Sequence, residues 1–312
     1  MSRVRLAVAG VGAWGQHFVR LASRSPRAEL VAVVDPDPSA PGRRSLAVPA
    51  FERLDDALAL GLDAVIVASP ARTHRAVACA ALEAGVAVLV EKPLAVGSPD
   101  AEAIVTLGQR VGCTAMVGHL LRYHPAVRRL IDEVRRGTIG RPRRLHSARR
   151  SPPGRASDVS ALWALGPHDV SVLLGLDGAP LESLTASSPG DDEVLVQART
   201  ASGLGVRFDL SRTSALKERR LTVWGDEGVL SFDDLSSEAP LWLQRLGPGA
   251  AGEALVVPTD EPLAAEFEHF VGCVASGTEP LTPASDGLRV VRWLEAVEAS
   301  LARPAWMQPA SG

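Results

Sequence analysis

Three glycines near the N-terminus have the spacing of a phosphate-binding turn. In Gly10-Val11-Gly12-Ala13-Trp14-Gly15 they follow a short apolar run and open a helix-like stretch. In such a turn the first glycine permits a tight bend, the second lets the backbone approach a pyrophosphate, and the third lets helix and strand pack closely. The spacing alone also arises by chance, but its place between strand and helix favours a dinucleotide site that includes Ala13 and Trp14.

Asp35 follows the second apolar run, 20 residues after Gly15. A carboxylate at this point can accept hydrogen bonds from the adenosine ribose hydroxyls and repels a 2′-phosphate. The sequence therefore predicts NAD as the cofactor and disfavours NADP. The alternative is an ordinary turn aspartate, since Asp-Pro is a common turn pair.

Lys92 is one of only two lysines, the other being Lys217, among 33 basic residues. It comes directly after the fourth apolar run, Val86–Val90, and Glu91. The carboxyl end of a parallel strand is where open α/β sheets bind ligands, and an ammonium there can polarise a reacting hydroxyl or carbonyl oxygen. The alternative is a solvated loop lysine.

The elements that must position these residues alternate between apolar runs and helical stretches over the first 120 residues, which is typical of a parallel sheet. The predicted strands are Leu6–Ala9, Leu30–Val34, Ala64–Ala68, Val86–Val90 and Thr114–Val117, and the predicted helices include Gln16–Ser23, Thr73–Ala84 and Asp100–Val111. Beyond Leu145, strand-like runs with short connectors predict an antiparallel sheet, and two amphipathic helices close the chain. We expect an α/β Rossmann domain with a doubly wound parallel sheet at residues 1–120, followed by an α+β domain with an open antiparallel sheet at residues 121–312.

The composition excludes several classes of protein. A net charge of −3 over 312 residues provides no positive electrostatic field that would attract the phosphate backbone of nucleic acid. Three cysteines form no disulfide framework and no metal-binding cluster, so we predict no metal. The longest apolar runs are far shorter than a membrane span, and no signal peptide is evident, so a cytoplasmic protein that binds no membrane is expected.

Several motifs together resemble the glucose–fructose oxidoreductase/inositol dehydrogenase (Gfo/Idh/MocA) family over essentially the whole chain. They are the glycine turn, Ser69-Pro70 through His74, Glu91-Lys92-Pro93, Gly137–Gly140, Gly166-Pro167-His168-Asp169, Gly225–Gly228 and the closing helices. Their order and spacing are more specific than any one of them.

The resemblance implies roles for individual residues. It places Lys92 beside the nicotinamide and the substrate, Glu91 near the nicotinamide ribose, and Ser69 and Pro70 near the adenosine, with His74 in the same cofactor-binding motif. It also maps His168 onto the active-site histidine of the family. An imidazole titrates near neutral pH, so His168 can take the proton of the hydroxyl being oxidised. The alternative for His168 is a packing or capping residue at the start of a helix Asp169–Leu174.

One position departs from the family pattern. Many members carry aspartate four residues before the active-site histidine, and this chain has Ala164 there. Asp158 or Asp169 is a candidate substitute.

Other polar residues near the predicted junction are open to two interpretations. His119 and His124 are candidates for lining the pocket, or else packing residues. Trp163 together with Pro167-His168-Asp169 is similar to the branch of the family that acts on nucleotide-linked sugars. Arg149, Arg150 and Arg155 either hold a diphosphate or carboxylate or form a solvated loop.

The leading hypothesis is an NAD-dependent sugar or cyclitol dehydrogenase whose substrate is a small molecule, with a nucleotide-linked sugar as one option. Lys92 and His168 would manage the proton. The resemblance also implies a homodimer or homotetramer that self-associates through the second-domain sheet. The alternative is a non-catalytic NAD-binding sensor or regulatory protein on the same scaffold, which Ala164 favours.

Overall fold

The computed structural model describes residues 3–43, 48–154, 159–247 and 249–303. Contacts divide the chain into two compact units, each formed from two separate segments. The first unit joins Met1–Tyr123 with Glu261–Val291, and the second joins His124–Asp260 with Arg292–Gly312. The functional division into residues 1–120 and 121–312 stays a prediction, and the contacts add that the late segment 261–291 packs with the first unit.

The sheet of the first unit is parallel throughout its described strands. These are β1 (Val4–Ala9), β2 (Ala28–Val34), β3 (Ala50–Phe51), β4 (Ala64–Val67), β5 (Ala87–Glu91) and β6 (Ala115–Gly118). They lie in the order β3-β2-β1-β4-β5-β6, and every neighbouring pair is parallel. This is the doubly wound order predicted from the sequence, and the order reverses between β1 and β4. The carboxyl ends of the strands at such a reversal form the crevice in which open α/β sheets bind ligands.

Eight α-helices lie in the described residues. They are α1 (Gly15–Arg24), α2 (Leu54–Leu58), α3 (His74–Glu83), α4 (Ser98–Val111), α5 (Pro125–Arg135), α6 (Ala161–Leu176), α7 (Pro262–Ser276) and α8 (Ala284–Leu301). The predicted helices of the first 120 residues agree with α1, α3 and α4 to within two residues at each end. None of these described helices combines the length and the apolar character that a membrane crossing requires.

Helix α7 completes the core of the first unit although it is encoded after the second. Its buried stripe includes Leu263, Phe267, Phe270 and Val271, which pack in one cluster with Phe18 of α1. Full burial of one such phenylalanine contributes roughly 1.5–3 kcal/mol. This stripe therefore makes α7 a substantial part of the first unit.

The second unit contains an eight-stranded sheet. Its strands are β7 (Pro142–Arg150), β8 (Leu181–Ser187), β9 (Glu193–Thr200), β10 (Gly205–Ser211), β11 (Glu218–Gly225), β12 (Gly228–Asp233), β13 (Leu241–Arg245) and β14 (Gly252–Ala254). They lie in the order β14-β13-β12-β11-β7-β10-β9-β8. All neighbours are antiparallel except β7 and β10, which run parallel. The antiparallel sheet predicted from the hairpin spacing is thus confirmed, with one parallel pair inside it.

Strand β7 corrects the alternative that Arg149 and Arg150 lie in a solvated loop. Arg149 and Arg150 are the last residues of a strand in the middle of the sheet. Their charges are compatible with this place because Arg149 pairs with Asp169 and Arg150 pairs with Asp209. Arg155 lies outside the described residues.

Helix α6 corrects the predicted helix start at Asp169. The helix begins eight residues earlier, at Ala161, and both Gly166 and Pro167 lie inside it. Pro167 has no N–H to donate to the carbonyl of Trp163, one turn earlier. Gly166 is closely packed, because a Cβ there would lie 3.0 Å from Leu294 Cδ2 and 3.3 Å from Leu162 Cδ1. The two residues that look like helix breakers in the sequence therefore lie inside a 16-residue helix.

Candidate active site

The three glycines of the turn have different surroundings: Gly10 and Gly15 lie against other backbone atoms, whereas Gly12 faces open space. Gly10 has φ of +84°, and a Cβ on it would lie 2.3 Å from the backbone nitrogen of Ser69. A Cβ on Gly15 would lie 1.8 Å from the carbonyl oxygen of Gly10. In contrast, a Cβ on Gly12 would meet nothing within 4 Å. The backbone at Gly12 is therefore open to the close approach of another molecule.

The N-terminus of α1 lies beside this open position. Trp14 is its N-cap residue, makes no capping hydrogen bond, and is followed by a first turn without acidic residues. Ala13 and Trp14 are both exposed. A helix N-terminus without acidic residues attracts anions through its positive dipole end.

Asp35 ties the end of β2 to the glycine turn. Its Oδ2 accepts a hydrogen bond from Val11 N at 2.8 Å, and its Oδ1 accepts one from Asp37 N at 2.9 Å. Each carboxylate oxygen can accept a further hydrogen bond. Asp35 is thus held in place by the backbone while it keeps acceptor capacity for hydroxyl groups.

His74 connects the loops that follow β4 and β5. It is buried, with Nε2 at 2.8 Å from the carbonyl oxygen of Ser69 and Nδ1 at 2.9 Å from that of Pro93. Burial lowers the pKa of this imidazole. The ring therefore lies between two backbone segments and donates to one carbonyl or the other according to its tautomer, a role that the sequence motif did not reveal. Ser69 is half-buried and Pro70 exposed beside it, and direct contact of these three residues with a cofactor stays a prediction.

Glu91 links the glycine turn to the lysine. At the end of β5, it accepts a hydrogen bond from Trp14 Nε1 on Oε1 and one from Lys92 N at 3.0 Å on Oε2. Burial raises the pKa of Glu91, against the hydrogen bond from Trp14 and the positive charge of Lys92, which lower it. Lys92 itself is half-buried, and its peptide bond to Pro93 is cis. The structure therefore brings Trp14, Glu91 and Lys92 together at the carboxyl edge of the first sheet.

Two further polar side chains are buried in the first unit. His119 follows β6 and is 1% exposed, and neither ring nitrogen has a hydrogen-bond partner among the described residues. Burial, reinforced by the charges of Arg122 and Lys92, lowers its pKa to about 3, so the ring is neutral. Glu266 on α7 is fully buried and likewise lacks a partner in the described part of the chain. The sequence offered one signal for Glu266, an acid within the apolar stripe of an amphipathic helix, and we missed it.

His168 and Asp169 lie within α6 in the second unit. His168 is half-buried, while Asp169 is fully buried. Asp169 accepts hydrogen bonds from Ser147 Oγ at 2.7 Å and from Arg149 Nη2 at 3.2 Å. Because its carboxylate is engaged in these contacts, Asp169 is a poor substitute for the aspartate that Ala164 replaces. Asp158 lies outside the described residues.

His124 has a structural role in the second unit. Its Nδ1 accepts a hydrogen bond from Ala126 N at 3.2 Å and so caps α5. Its ring also packs on Phe232, with centroids 4.9 Å apart. These contacts account for His124 as a helix cap. The joint catalytic role of Lys92 and His168 stays a prediction.

The carboxyl edge of the first sheet fits a bound NAD. The open position at Gly12 and the N-terminus of α1 suit the pyrophosphate, and Asp35 suits the adenosine ribose. Trp14 and Glu91 lie on the side where β5 ends.

Comparisons with known proteins agree with this geometry. Residues 4–119 match the oxidoreductase family with an NAD-binding Rossmann fold (GFO_IDH_MocA), and residues 126–231 match the GFO/IDH/MocA C-terminal domain. UDP-N-acetylglucosamine 3-dehydrogenase from Acidithiobacillus ferrooxidans is 29% identical over 99% of this chain and 100% of its own. One solved structure of that enzyme covers 96% of this chain and 98% of its own, with a TM-score of 0.87 and 27% identity.

Two other relatives extend the likeness. The NAD(+)-dependent scyllo-inositol 2-dehydrogenase of Bacillus subtilis (strain 168) is 28% identical over 89% of this chain and 88% of its own. A solved structure from Magnetospirillum magnetotacticum MS-1 is 32% identical, with a TM-score of 0.83, and covers 95% of this chain and 100% of its own. The comparisons give no support to the non-catalytic sensor. The chain belongs to the Gfo/Idh/MocA family and is an NAD-binding oxidoreductase.

Proposed function

We propose that this enzyme oxidises a ring hydroxyl of a sugar or cyclitol to a ketone, with a nucleotide-linked sugar as the first substrate to test. The observation that supports this most strongly is the likeness to the UDP-N-acetylglucosamine 3-dehydrogenase over the full length of both chains. The scyllo-inositol dehydrogenase supports the wider class of polyhydroxylated rings. In the reverse direction the same site reduces the ketone.

Bound NAD supplies the acceptor for the hydride that leaves the reacting carbon. Lys92 donates a hydrogen bond from its ammonium to the oxygen on that carbon, which stabilises the negative charge that develops there. The carboxylate of Glu91 fixes the backbone of Lys92 by accepting a hydrogen bond from the Lys92 N–H. A lysine suits this task in a chain that otherwise uses arginine, because it is compact and can give up its proton.

His168 is the proposed acceptor of the hydroxyl proton. An imidazole can take this proton as the hydride leaves and return it in the reverse reaction. Ala164 offers no carboxylate to orient the ring, and Asp169 is held by Ser147 and Arg149. His168 therefore acts in this enzyme without the aspartate that many relatives use.

The test compares the two lysines of the chain. Lys92→Ala and Lys217→Ala are assayed with NAD and a panel that contains UDP-N-acetylglucosamine, scyllo-inositol and myo-inositol, following the absorbance of the reduced nicotinamide. Lys217 is exposed on the second unit and serves as the matched control. We expect Lys92→Ala to lose about 10²–10⁴-fold in turnover while its NAD affinity is retained, and Lys217→Ala to be unaffected.

Two outcomes would contradict the proposal. Full activity in Lys92→Ala removes the lysine from the chemistry. Tight NAD binding by the wild-type protein without turnover of any compound in the panel argues for the sensor. The homo-oligomer and the cytoplasmic location expected from the sequence remain predictions.

A further inference from the structure

Glu266 is a buried acid that the proposed mechanism does not use. Along α7 it lies among Leu263, Phe267 and Phe270, all of them buried. Neither of its carboxyl oxygens has a hydrogen-bond partner among the described residues. An ionised carboxylate is strongly disfavoured in apolar surroundings without donors to hold it. These surroundings favour the neutral acid at position 266.

A second buried acid, Glu91, lies on the strand beside the segment that packs on α7, because Glu91 pairs with Gly118 of β6 and Leu120–Tyr123, which follows β6, contacts α7. The charge of Glu91 adds to the effect of burial and raises the pKa of Glu266 well above its usual range. The two acids differ in their partners, because Glu91 accepts hydrogen bonds from Trp14 Nε1 and Lys92 N, whereas Glu266 accepts none from the described residues. Two carboxyl groups that interact in this way resist ionising together. The proton therefore belongs on Glu266.

We propose that Glu266 is a positioning residue that holds a proton, so that Glu91 stays ionised and keeps its hydrogen bonds to Trp14 and to the backbone of Lys92. If Glu266 lost this proton, Glu91 would take one up to avoid a second buried charge, and its oxygens would become weaker acceptors. The link between the glycine turn and Lys92 would then loosen. The significance for catalysis rests on the proposed role of Lys92, but the protonation itself does not.

The other titratable groups near α7 keep their charge state, so Glu266 and Glu91 are the pair whose charge changes. In the segment after β6, His119 is neutral because its pKa is about 3, and Tyr123 keeps its proton because burial raises its pKa. Arg122 in that segment approaches Asp286, with 3.8 Å between Nη1 and Oδ2.

Two charged side chains on the elements packed against α7 form ion pairs. Arg20 of α1 pairs with Glu261, and Arg5 of β1 pairs with Glu29. His17 of α1 packs on Trp14, with ring centroids 5.5 Å apart. On α7 itself, His269 Nε2 accepts a hydrogen bond from Leu281 N, and the Sγ of Cys273 lies 3.5 Å from the same nitrogen.

Infrared spectroscopy tests the proton directly, because the carbonyl stretch of a carboxylic acid is separate from the bands of a carboxylate. Difference spectra of full-length wild-type protein, Glu266→Gln and Glu268→Gln are recorded at neutral pH. Glu268 is the matched control on the same helix, since its carboxylate accepts a hydrogen bond from Ser25 Oγ at 2.6 Å. We expect the acid band to be present in the wild type, absent in Glu266→Gln and retained in Glu268→Gln.

A pH titration of the same band tests the interaction between the two acids. In Glu91→Gln the negative charge near Glu266 is gone, so its acid band should disappear at a lower pH than in the wild type. This comparison does not need Glu266→Gln to fold. The proposal is wrong if the wild type lacks the band at neutral pH, if Glu266→Gln keeps it, or if Glu91→Gln leaves its midpoint unchanged.

Unfolding adds a readout that a purely structural role would not produce. A folded-state pKa above the unfolded value means that stability falls as the pH rises from the ordinary glutamate range to the folded pKa. The unfolding constant of the wild type should rise relative to that of Glu266→Gln by up to about tenfold per pH unit in this range. If the proposed function is wrong, turnover is absent but the acid band of Glu266 is still present. If the proposal for Glu266 is wrong, the band itself fails one of the tests above, so the two failures are distinguishable.

Discussion

Alanine at Gly12 should separate cofactor binding from folding. A Cβ at this position meets nothing within 4 Å, and its backbone is not in the left-handed region. We expect Gly12→Ala to keep the stability of the wild type or to gain about 0.4–1 kcal/mol, because alanine restricts the unfolded chain. The same methyl group occupies space that the pyrophosphate needs. Loss of one charge-assisted hydrogen bond costs about 1.5–3 kcal/mol, which weakens NAD binding about 10- to 200-fold.

Alanine at Gly15 should have the opposite effect, although the residue lies only three positions away. Its Cβ would lie 1.8 Å from the carbonyl oxygen and 2.9 Å from the carbonyl carbon of Gly10, both backbone atoms that cannot rotate away. Overpacking of this kind costs about 1–3 kcal/mol. For a unit of this size the melting temperature should fall by about 2–12 °C.

The assay is isothermal titration of NAD together with calorimetric melting of each variant. Gly178→Ala is the control, because a Cβ there also meets nothing within 4 Å and the residue belongs to the second unit. It should leave NAD affinity unchanged and should alter stability no more than Gly12→Ala does. NAD binding by Gly12→Ala at wild-type affinity would refute the placement of the pyrophosphate, and a Gly15→Ala variant as stable as the wild type would refute the packing argument.

Three further predictions follow from single contacts. Replacing Asp35 by alanine removes an acceptor for the ribose and a repulsive charge, so the preference for NAD over NADP should fall when both are titrated. Replacing Trp14 by phenylalanine removes a hydrogen bond that lowers the pKa of Glu91. The pKa of Glu91 in the folded protein should therefore rise further. The free energy of unfolding should then continue to fall up to a higher pH than in the wild type, as measured by urea unfolding across a pH series. Replacing Arg149 by alanine takes the ionic partner from the fully buried Asp169, which should cost about 3–5 kcal/mol in the same measurement.

The first unit was the more predictable part of the fold. Its buried parallel strands read as continuous apolar runs, and the alternation with helices fixes their parallel direction. The hairpins from Leu181 to Phe232 were equally visible, because short connectors separate alternating runs. Strand β7 was not, since its arginines look like a loop until Asp169 and Asp209 are found beside them.

The candidate site divides in the same way. The glycine turn and Asp35 are local signals with a fixed spacing, so the sequence was sufficient to propose them. The contacts of His74, Trp14 and Glu91 depend on residues far along the chain, and no periodicity reports such pairs. Glu266 is the extreme case, because its significance depends on a strand that precedes it by more than 170 residues.

The late return of α7 to the first unit has a consequence for biosynthesis. A ribosome releases the six parallel strands long before it releases Phe267 and Phe270, which occupy the core beside Phe18. Until then the nascent Rossmann layer carries an uncovered apolar face, so its final consolidation must wait until α7 has been translated. A nonsense mutation between Gly118 and Glu261 would therefore leave an aggregation-prone fragment instead of a working cofactor-binding half.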